Sequence, residues 1–135
     1  SFPSGTTIPA NSSLLVAAFE PNDTASRNAF MTAYSLAGNN VSLLGPYVGS
    51  LSGKGERISL ETPVITGDDG TVTGWSIVDE VIYFQADPWP READGTGQAL
   101  HRLSAHLSVN NPDNWMAGPP TPGDCGLAVA QWREY

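Results

Sequence analysis

Residues 87–103 read DPWPREADGTGQALHRL and stand between two β-like runs of the chain. A proline lies on each side of Trp89, and the segment DGTG at 94–97 follows before an apolar pattern resumes at Leu100. Proline fixes φ and lacks an N–H donor, whereas glycine tolerates positive φ and close backbone approach. We therefore interpret these residues as an irregular crossing between two strands that holds Trp89 as a large apolar plug.

Short apolar runs separated by turn residues continue along the rest of the chain. Its 135 residues include 14 glycines and 11 prolines, which fall between these runs, as is typical of an all-β domain with many turns. The composition, 40% hydrophobic and 15% charged, is that of a folded chain. Because this length suits one domain with a single core, we expect one domain over residues 1–135.

Alternation and short apolar runs predict the strands. Residues 57–62 alternate polar and apolar side chains, which predicts a half-buried strand with Ile58 and Leu60 facing inward. The segment GDDG at 67–70 predicts a hairpin turn before the longest β-like run, 75–84, in which Ile77, Val81 and Tyr83 stand at alternate positions. Residues 14–19 suit a strand buried on both faces. Shorter β-like pieces lie at 41–44, 47–48, 99–107 and 127–132.

One short helix is predicted, over about residues 23–36. Asn22 or Asp23 is suited to its N-cap, because a short polar side chain accepts hydrogen bonds from free backbone N–H groups. Gly38 predicts where the helical pattern stops. The apolar residues at roughly helical spacing are Phe30, Met31, Tyr34 and Leu36.

Charge and cysteine content exclude several classes of function. The net charge is −8, and the six basic residues are scattered, so we expect no nucleic-acid partner. No apolar stretch approaches the roughly 20 residues of a membrane-spanning helix, so we expect no membrane insertion. Cys125 is the single cysteine, which excludes an internal disulfide framework and a cysteine-type zinc site.

Two histidines and a serine form a candidate catalytic group. His101 and His106 are five residues apart, a spacing that suits neither one helix face nor one strand face for zinc. Ser104 lies between them, but no nucleophile-elbow motif surrounds it. We therefore expect no catalytic residue and no metal at these positions.

Carboxylates form three further candidate groups. The pairs Asp79-Glu80 and Asp68-Asp69 are interpreted as solvated strand and hairpin charges, because adjacent strand residues point to opposite faces. Calcium could bind oxygens of Asp87 and Asp94, but their spacing is not that of a calcium loop. The G-x-G within 94–97 lacks the strand–loop–helix context of a phosphate cradle. We expect no metal and no cofactor.

Three N-glycosylation sequons begin at Asn11, Asn22 and Asn40. They would carry glycans in a secreted eukaryotic protein and are incidental in a bacterial one. The sequence leaves both alternatives open.

With its flanks, the opening stretch resembles the second half of a bacterial lamin-tail domain. The similarity is carried by VIYFQADPWP at 81–90, ADGTGQALHRL at 93–103 and NNPDNWMAGPPTPG at 110–123. Upstream, FPSGTTIPANSSLLVAAF at 2–19 is similar to the family's strand–"Pro-Ala-Gly"–strand segment, and LSGKGERISLETP at 51–63 to its "Leu-Ser-x-x-Gly-Glu" turn and strand. The similarity covers residues 2–123.

This resemblance implies an all-β, immunoglobulin-like β-sandwich. Trp89 would cover one end of the sandwich, and Asn114 with Trp115 would close the other side. Gly95 and Gly97 would adopt positive φ, after which Leu100 and Leu103 would turn inward.

Family members begin with further strands, including an "x-E-x-I-E-L-x-N"-like strand, and Asp124 to Tyr135 lies beyond the domain's usual end. A sandwich without those strands exposes an open sheet edge. We expect Leu127 to Tyr135 to fill the gap within the chain, or a strand from another chain to do so by β-augmentation, and we expect oligomers.

The resemblance implies a non-catalytic module that is secreted or lies at the cell surface. Such a module would bind a protein partner, either as a self-assembling subunit or as a surface-attachment subunit. A carbohydrate-binding module is the alternative, since β-sandwiches often bind sugars through exposed aromatic rings; the candidates are Trp75, Trp132, Tyr47 and Tyr135. A third class is a small hydrolase built on His101, Asp94 and Ser104.

Overall fold

The computed structural model describes residues 1–10, 12–36 and 41–124. Within these residues the fold is mainly β, with one α-helix and two short 3₁₀ turns, as the sequence predicts at this level. The strands form three two-stranded sheets, β1–β2, β3–β4 and β5–β6. They are β1 (Leu14–Val16), β2 (Ser42–Leu44), β3 (Gly55–Ile65), β4 (Val72–Phe84), β5 (Ala99–Arg102) and β6 (Trp115–Gly118); the helix, α1, is Thr24–Ala33.

The described residues divide into two compact units. The first unit consists of residues 1–50 with 119–124 and contains β1, α1 and β2. The second unit consists of residues 51–118 and contains β3 to β6. The predicted strand at 127–132 lies outside the described residues.

In the first unit, α1 connects two parallel strands, with Leu15 of β1 opposite Leu43 of β2. The ladder extends past β1, because the Ala17 N–H donates to the Leu44 carbonyl at 2.7 Å. The prediction of a strand over 14–19 buried on both faces is wrong. The strand ends at Val16, which is 49% exposed, and Leu14 and Leu15 are only half-buried, so neither face of β1 is fully covered. The predicted piece at 47–48 is exposed loop.

Helix α1 confirms the predicted helix and its cap. Asp23 is the N-cap, and its carboxylate accepts hydrogen bonds from the Ala25 N–H and the Ser26 hydroxyl. The rings of Phe19, Phe30 and Tyr34 follow one another at centroid distances of 5.5 and 5.0 Å. These contacts pack one face of the helix against the segment that precedes it.

The helix ends earlier than predicted, at Ala33. Ser35 adopts a left-handed φ of 55°, and its N–H donates to Thr32 O at 3.2 Å. The Leu36 N–H then donates to Met31 O at 2.8 Å, and the Leu36 side chain is buried. These two bonds form a Schellman motif, which satisfies the last carbonyls of the helix. A serine therefore takes the role that the sequence assigned to Gly38, which lies outside the described residues.

In the second unit, β3 and β4 form a long antiparallel hairpin. Its turn contains the predicted GDDG segment, with Gly67 and Gly70 at positive φ. The register shifts twice, where β4 skips Val78 and Thr73, so β4 carries two bulges. The bulge at Val78 places Ile77 opposite Glu61, whereas Val81 is opposite Ile58. Because residues 58 and 61 of a regular strand point to opposite faces, Ile77 does not share the face of Val81, which simple alternation had predicted.

Ile58 and Leu60 of β3 are 40% and 43% exposed, so they are less covered than their predicted inward orientation implies. Ile58 lines a groove of the second unit together with Val81 of β4.

The structure confirms that Trp89, in the crossing at 87–103, is buried. The Trp89 ring is 4% exposed and lies 5.9 Å from the half-buried Trp115 ring. Gly95 and Gly97 have φ values of 70° and 82°, as expected. Trp89 is therefore the plug that the flanking prolines predict. Trp115 packs against Trp89 and does not close an opposite side as the resemblance had implied.

Strand β5 is shorter than the predicted 99–107. It ends at Arg102. The Leu103 N–H still donates to the Asn114 carbonyl, and the chain turns at Ser104, whose N–H donates to the Asn114 side chain. Leu100 is half-buried as expected, whereas Leu103 is 46% exposed and the prediction that it turns inward is wrong.

Candidate functional site

The candidate catalytic residues His101, Ser104 and His106 lie in β5 and in the turn after it. The Asn114 side chain bonds both backbone groups of Ser104. The Ser104 N–H donates to Asn114 Oδ1, and the Ser104 carbonyl accepts from Asn114 Nδ2, both at 2.9 Å. The Ser104 hydroxyl accepts a bond from the His106 N–H at 3.1 Å. His101 packs beside Gly118 of β6, where a Cβ would stand 3.2 Å from the imidazole Cδ2. The serine hydroxyl thus supports a local turn.

The carboxylate pair on β4 is divided between two arginines. Arg57 Nε lies 2.6 Å from Glu80 Oε2, and Arg102 lies 3.1 Å from Asp79 Oδ2 through one guanidinium nitrogen. The bond to Glu80 raises the pKa of Arg57 above its ordinary value. Each carboxylate therefore has its own cation, and the pair does not act as one couple.

The other carboxylate pair, Asp68-Asp69, lies in the hairpin turn. The Thr71 hydroxyl and N–H both donate to the Asp69 carboxylate, at 2.8 and 3.1 Å, and they lower the pKa of Asp69. Asp69 is thus a turn cap.

The proposed calcium ligands are separated along the crossing. Asp87 pairs with Arg91 at 3.5 Å, and both side chains are exposed. The Asp94 backbone N–H donates to Arg91 O, and Asp94 lines a groove. Within the part of the chain that the structure describes, no group of three or more His, Cys, Asp or Glu residues is placed to hold a metal ion.

The remaining sequence candidates are distributed over both units. Asn22 is exposed, and of the proposed sugar-binding aromatics Tyr47 is 41% and Trp75 60% exposed. The other candidates, which are Asn11, Asn40, Cys125, Trp132 and Tyr135, lie outside the described residues. Within those residues, no helix is long and apolar enough to cross a membrane.

An open groove of about 510 Å³ lies in the second unit. It runs along the base of the hairpin, and its wall is mostly apolar. Residues that line it include Ile58, Val81, Tyr83, Leu100, Trp115 and Asp94. The groove marks where the base of the hairpin meets the crossing and the β5–β6 sheet.

We define the proximal half of the hairpin as residues 55–60 with 79–84, and the distal half as residues 61–78. Tyr83 ties the proximal half to the preceding turn, because its hydroxyl lies 2.7 Å from Ser52 O and 3.1 Å from Glu56 Oε1. Burial, together with the Glu56 carboxylate, raises the pKa of Tyr83.

The edge of β4 that faces away from β3 also has its N–H groups bonded in the proximal half. The Ile82 N–H donates to Asn110 Oδ1 at 2.8 Å, and the Glu80 N–H to Asp79 Oδ1 at 3.0 Å. Side-chain oxygens thus take the places that a neighbouring strand would fill.

The distal half has no such attachment among the described contacts. Its hydrogen bonds, such as Thr73 Oγ1 to Thr66 Oγ1 at 2.7 Å, all lie within the hairpin. Its apolar side chains are open to solvent: Trp75 is 60% exposed, Ile77 53% and Val78 60%. The other exposed apolar residues of this half are Val64, Ile65 and Val72. The sequence predicted Trp75 as a candidate sugar-binding ring and placed Ile77 and Val78 in the β-like run 75–84.

Comparisons with protein-family models, with curated proteins and with solved structures find no match to this chain.

Proposed function

We propose that this protein is a non-catalytic structural or interaction domain that binds a protein partner by adding a strand to the distal half of its β3–β4 hairpin. The observation that carries the proposal is an apolar strand pair that is open to solvent. Trp75, Ile77 and Val78 expose more than half of their surface on a strand that has one neighbour among the described residues.

An isolated two-stranded hairpin is marginally stable in water, and an open edge offers unpaired N–H and C=O groups. Contiguous apolar surface on a folded chain usually marks an interaction site. An added strand pairs with the open edge, and its side chains pack beside those of Trp75 and Ile77 on the same face of the sheet.

The wider assignment is to an extracellular or cell-surface module of the bacterial lamin-tail type, with an immunoglobulin-like sandwich. The motifs quoted from residues 81–123 support it, and a mainly-β fold with Trp89 as a buried plug is compatible with it.

A carbohydrate-binding module is the second candidate, and the exposure of Trp75 favours it. A flat indole ring open to solvent is the kind of surface on which sugar rings stack. Glycan-array binding that is lost in Trp75→Ala would favour this candidate, whereas strand addition requires backbone pairing and no sugar.

The third class, a hydrolase built on His101, Asp94 and Ser104, is disfavoured. The turn around Ser104 is held through its backbone by Asn114, and its hydroxyl already bonds the His106 N–H. Ester or peptide turnover abolished by His101→Ala would support the hydrolase and contradict the proposal.

The test of strand addition compares the wild type with a trimmed hairpin. In the trimmed variant, Asn-Gly replaces residues 63–75, so that Thr62 and Ser76, which are register partners, close a two-residue turn. Random peptides displayed on phage are selected on the wild type and counter-selected on the trimmed variant. We expect enrichment of alternating apolar sequences that protect the amides of Trp75 and Ile77 from exchange.

One control accompanies this experiment. The trimmed variant should keep the near-ultraviolet circular dichroism of the Trp89–Trp115 pair, since the proximal anchors are intact. If no alternating apolar peptide survives the counter-selection, or if the surviving peptides leave the amides of Trp75 and Ile77 unprotected, the distal half is not the interaction site and the proposal is wrong.

A further inference from the structure

The two outer edges of the distal hairpin differ in what they offer a partner. The Ile82 N–H bonds Asn110, so it points away from β3, and the Arg57–Ile82 pair is a non-hydrogen-bonded pair. The N–H and C=O groups of Arg57 therefore point away from β4. Because these directions alternate along a strand, the same groups of every second residue after Arg57 also point away from β4. Pro63 is one of these residues and has no N–H to donate.

The same alternation identifies the open part of β4. Trp75 is opposite Pro63, and Ile77 is opposite Glu61, so both residues of β4 turn their N–H and C=O groups outward. Further along, Asn110 and the Asp79 side chain already satisfy the outer N–H groups of Ile82 and Glu80. The edge that remains available is Val72 to Val78.

The side chains on this edge indicate what kind of partner fits. The segment VTGWSIV at 72–78 contains no charged residue, although the whole chain carries a net charge of −8. A charged partner would find no opposite charge on this edge. When the same edge of a second copy pairs with it, no like charges of residues 72–78 face each other.

We infer that the occupant of this edge is β4 of a second copy, paired antiparallel about a two-fold axis at Ser76. This inference rests on the proposed strand-addition function and names its partner. In this register Trp75 of each copy is opposite Ile77 of the other, and both are outward-facing residues that exchange N–H···O=C bonds. Aromatic and β-branched side chains form favourable cross-strand pairs.

The register also keeps the acidic residues apart. Asp79 and Glu80 of one copy lie opposite Thr73 and Val72 of the other, and these are uncharged. The product is a four-stranded sheet of order β3–β4–β4–β3. Pro63 lies near each of its outer edges, which disfavours further strand addition and closes the assembly as a dimer.

The register is tested by cysteine cross-linking in a Cys125→Ala background. Ser76 of the two copies would face each other across the axis as a non-hydrogen-bonded pair, in which side chains approach closely. We expect Ser76→Cys to form a disulfide-linked dimer under mild oxidation at least about tenfold faster than Thr62→Cys, the control on the neighbouring strand of the same hairpin. Equal rates would overturn the inference.

Association is tested by sedimentation over a range of protein concentrations. Ile77→Lys places a charge at the centre of the pairing and should weaken dimerisation by about tenfold or more, whereas Thr62→Lys should not. A chain that stays monomeric while the selected peptides still bind its hairpin overturns self-pairing and leaves the proposed function intact. Loss of peptide binding as well would overturn both.

Discussion

Asn114 and Ser104 exchange two hydrogen bonds, in which the Ser104 N–H donates to Asn114 Oδ1 and Asn114 Nδ2 donates to the Ser104 carbonyl. The side-chain amide of Asn114 thus supplies the acceptor and the donor that a paired strand would otherwise offer to the turn after β5. The same Nδ2 also lies within hydrogen-bond distance of the carbonyls of Leu107 and Ser108, at 3.3 and 3.2 Å, and the side chain is fully buried. One polar residue therefore organises the return of the chain from β5 to β6.

Asn114→Asp should destabilise the second unit strongly. A carboxylate keeps the acceptor for the Ser104 N–H but loses the donor, and it turns negative charge toward the carbonyls of Ser104, Leu107 and Ser108. We expect a loss of about 3 kcal/mol or more in the free energy of unfolding, measured by urea denaturation.

Asn110→Asp is the matched control, because Asn110 uses only its acceptor oxygen, toward the Ile82 N–H. Its effect should stay within about 0.5 kcal/mol. Equal losses for the two variants would show that donation by Asn114 is unimportant.

Trp89→Ala should remove the plug of the crossing. The side chain is 4% exposed and contacts the Trp115 ring, so its loss leaves a cavity. We expect a cost of about 3–5 kcal/mol, seen as a lower melting temperature and a weaker near-ultraviolet signal.

Trp75→Ala, measured in dilute solution, is the comparison, because that ring is 60% exposed and should matter by less than about 0.5 kcal/mol. An unchanged melting temperature for Trp89→Ala would contradict the structural interpretation of residues 87–103.

Ser35→Gly should stabilise the first unit. Ser35 has a left-handed φ of 55°, a conformation that is costly for residues with a Cβ and free of that cost for glycine. Thermal unfolding followed by helical circular dichroism should show a gain of up to about 1 kcal/mol. Ser26→Gly, inside α1, should instead destabilise, and a loss in both variants would argue against the Schellman ending.

The stability of α1 should depend on pH through Asp23. Bonds from the Ser26 hydroxyl and the Ala25 N–H lower the pKa of Asp23 below its ordinary value of 3.8. A carboxyl whose pKa is lower in the folded state stabilises the fold above the unfolded-state pKa, and this stabilisation is lost as the pH falls through the folded-state pKa. Helical signal and melting temperature should therefore fall as the pH is lowered from about 5 toward 2.

Asp23→Asn separates this effect from other carboxylates. Asparagine caps a helix about as well as aspartate but does not titrate, so the variant should keep the helix at neutral pH and show a flatter acid profile. An identical acid profile in both proteins would assign the pH dependence elsewhere.

Local patterns in the sequence determined the elements whose causes lie within a few residues. Asp23 predicts a helix start, and GDDG at 67–70 predicts a hairpin, because capping and turn chemistry depend on neighbouring residues. The prolines around Trp89 likewise predict an irregular plug, which the structure confirms. Composition, with its many turn residues, was enough to predict a mainly-β chain.

Tertiary structure alone decided which surfaces are covered and where alternation breaks. Nothing in the sequence marks Val78 as a bulge, yet that single extra residue turns Ile77 to the other face of the hairpin. The resemblance singled out Asn114, but no local pattern predicts that its side chain is fully buried. Its partners Ser104, Leu107 and Ser108 come together only when the chain turns back. Burial and register are set by contacts between residues distant along the chain, and local propensity carries no information about them.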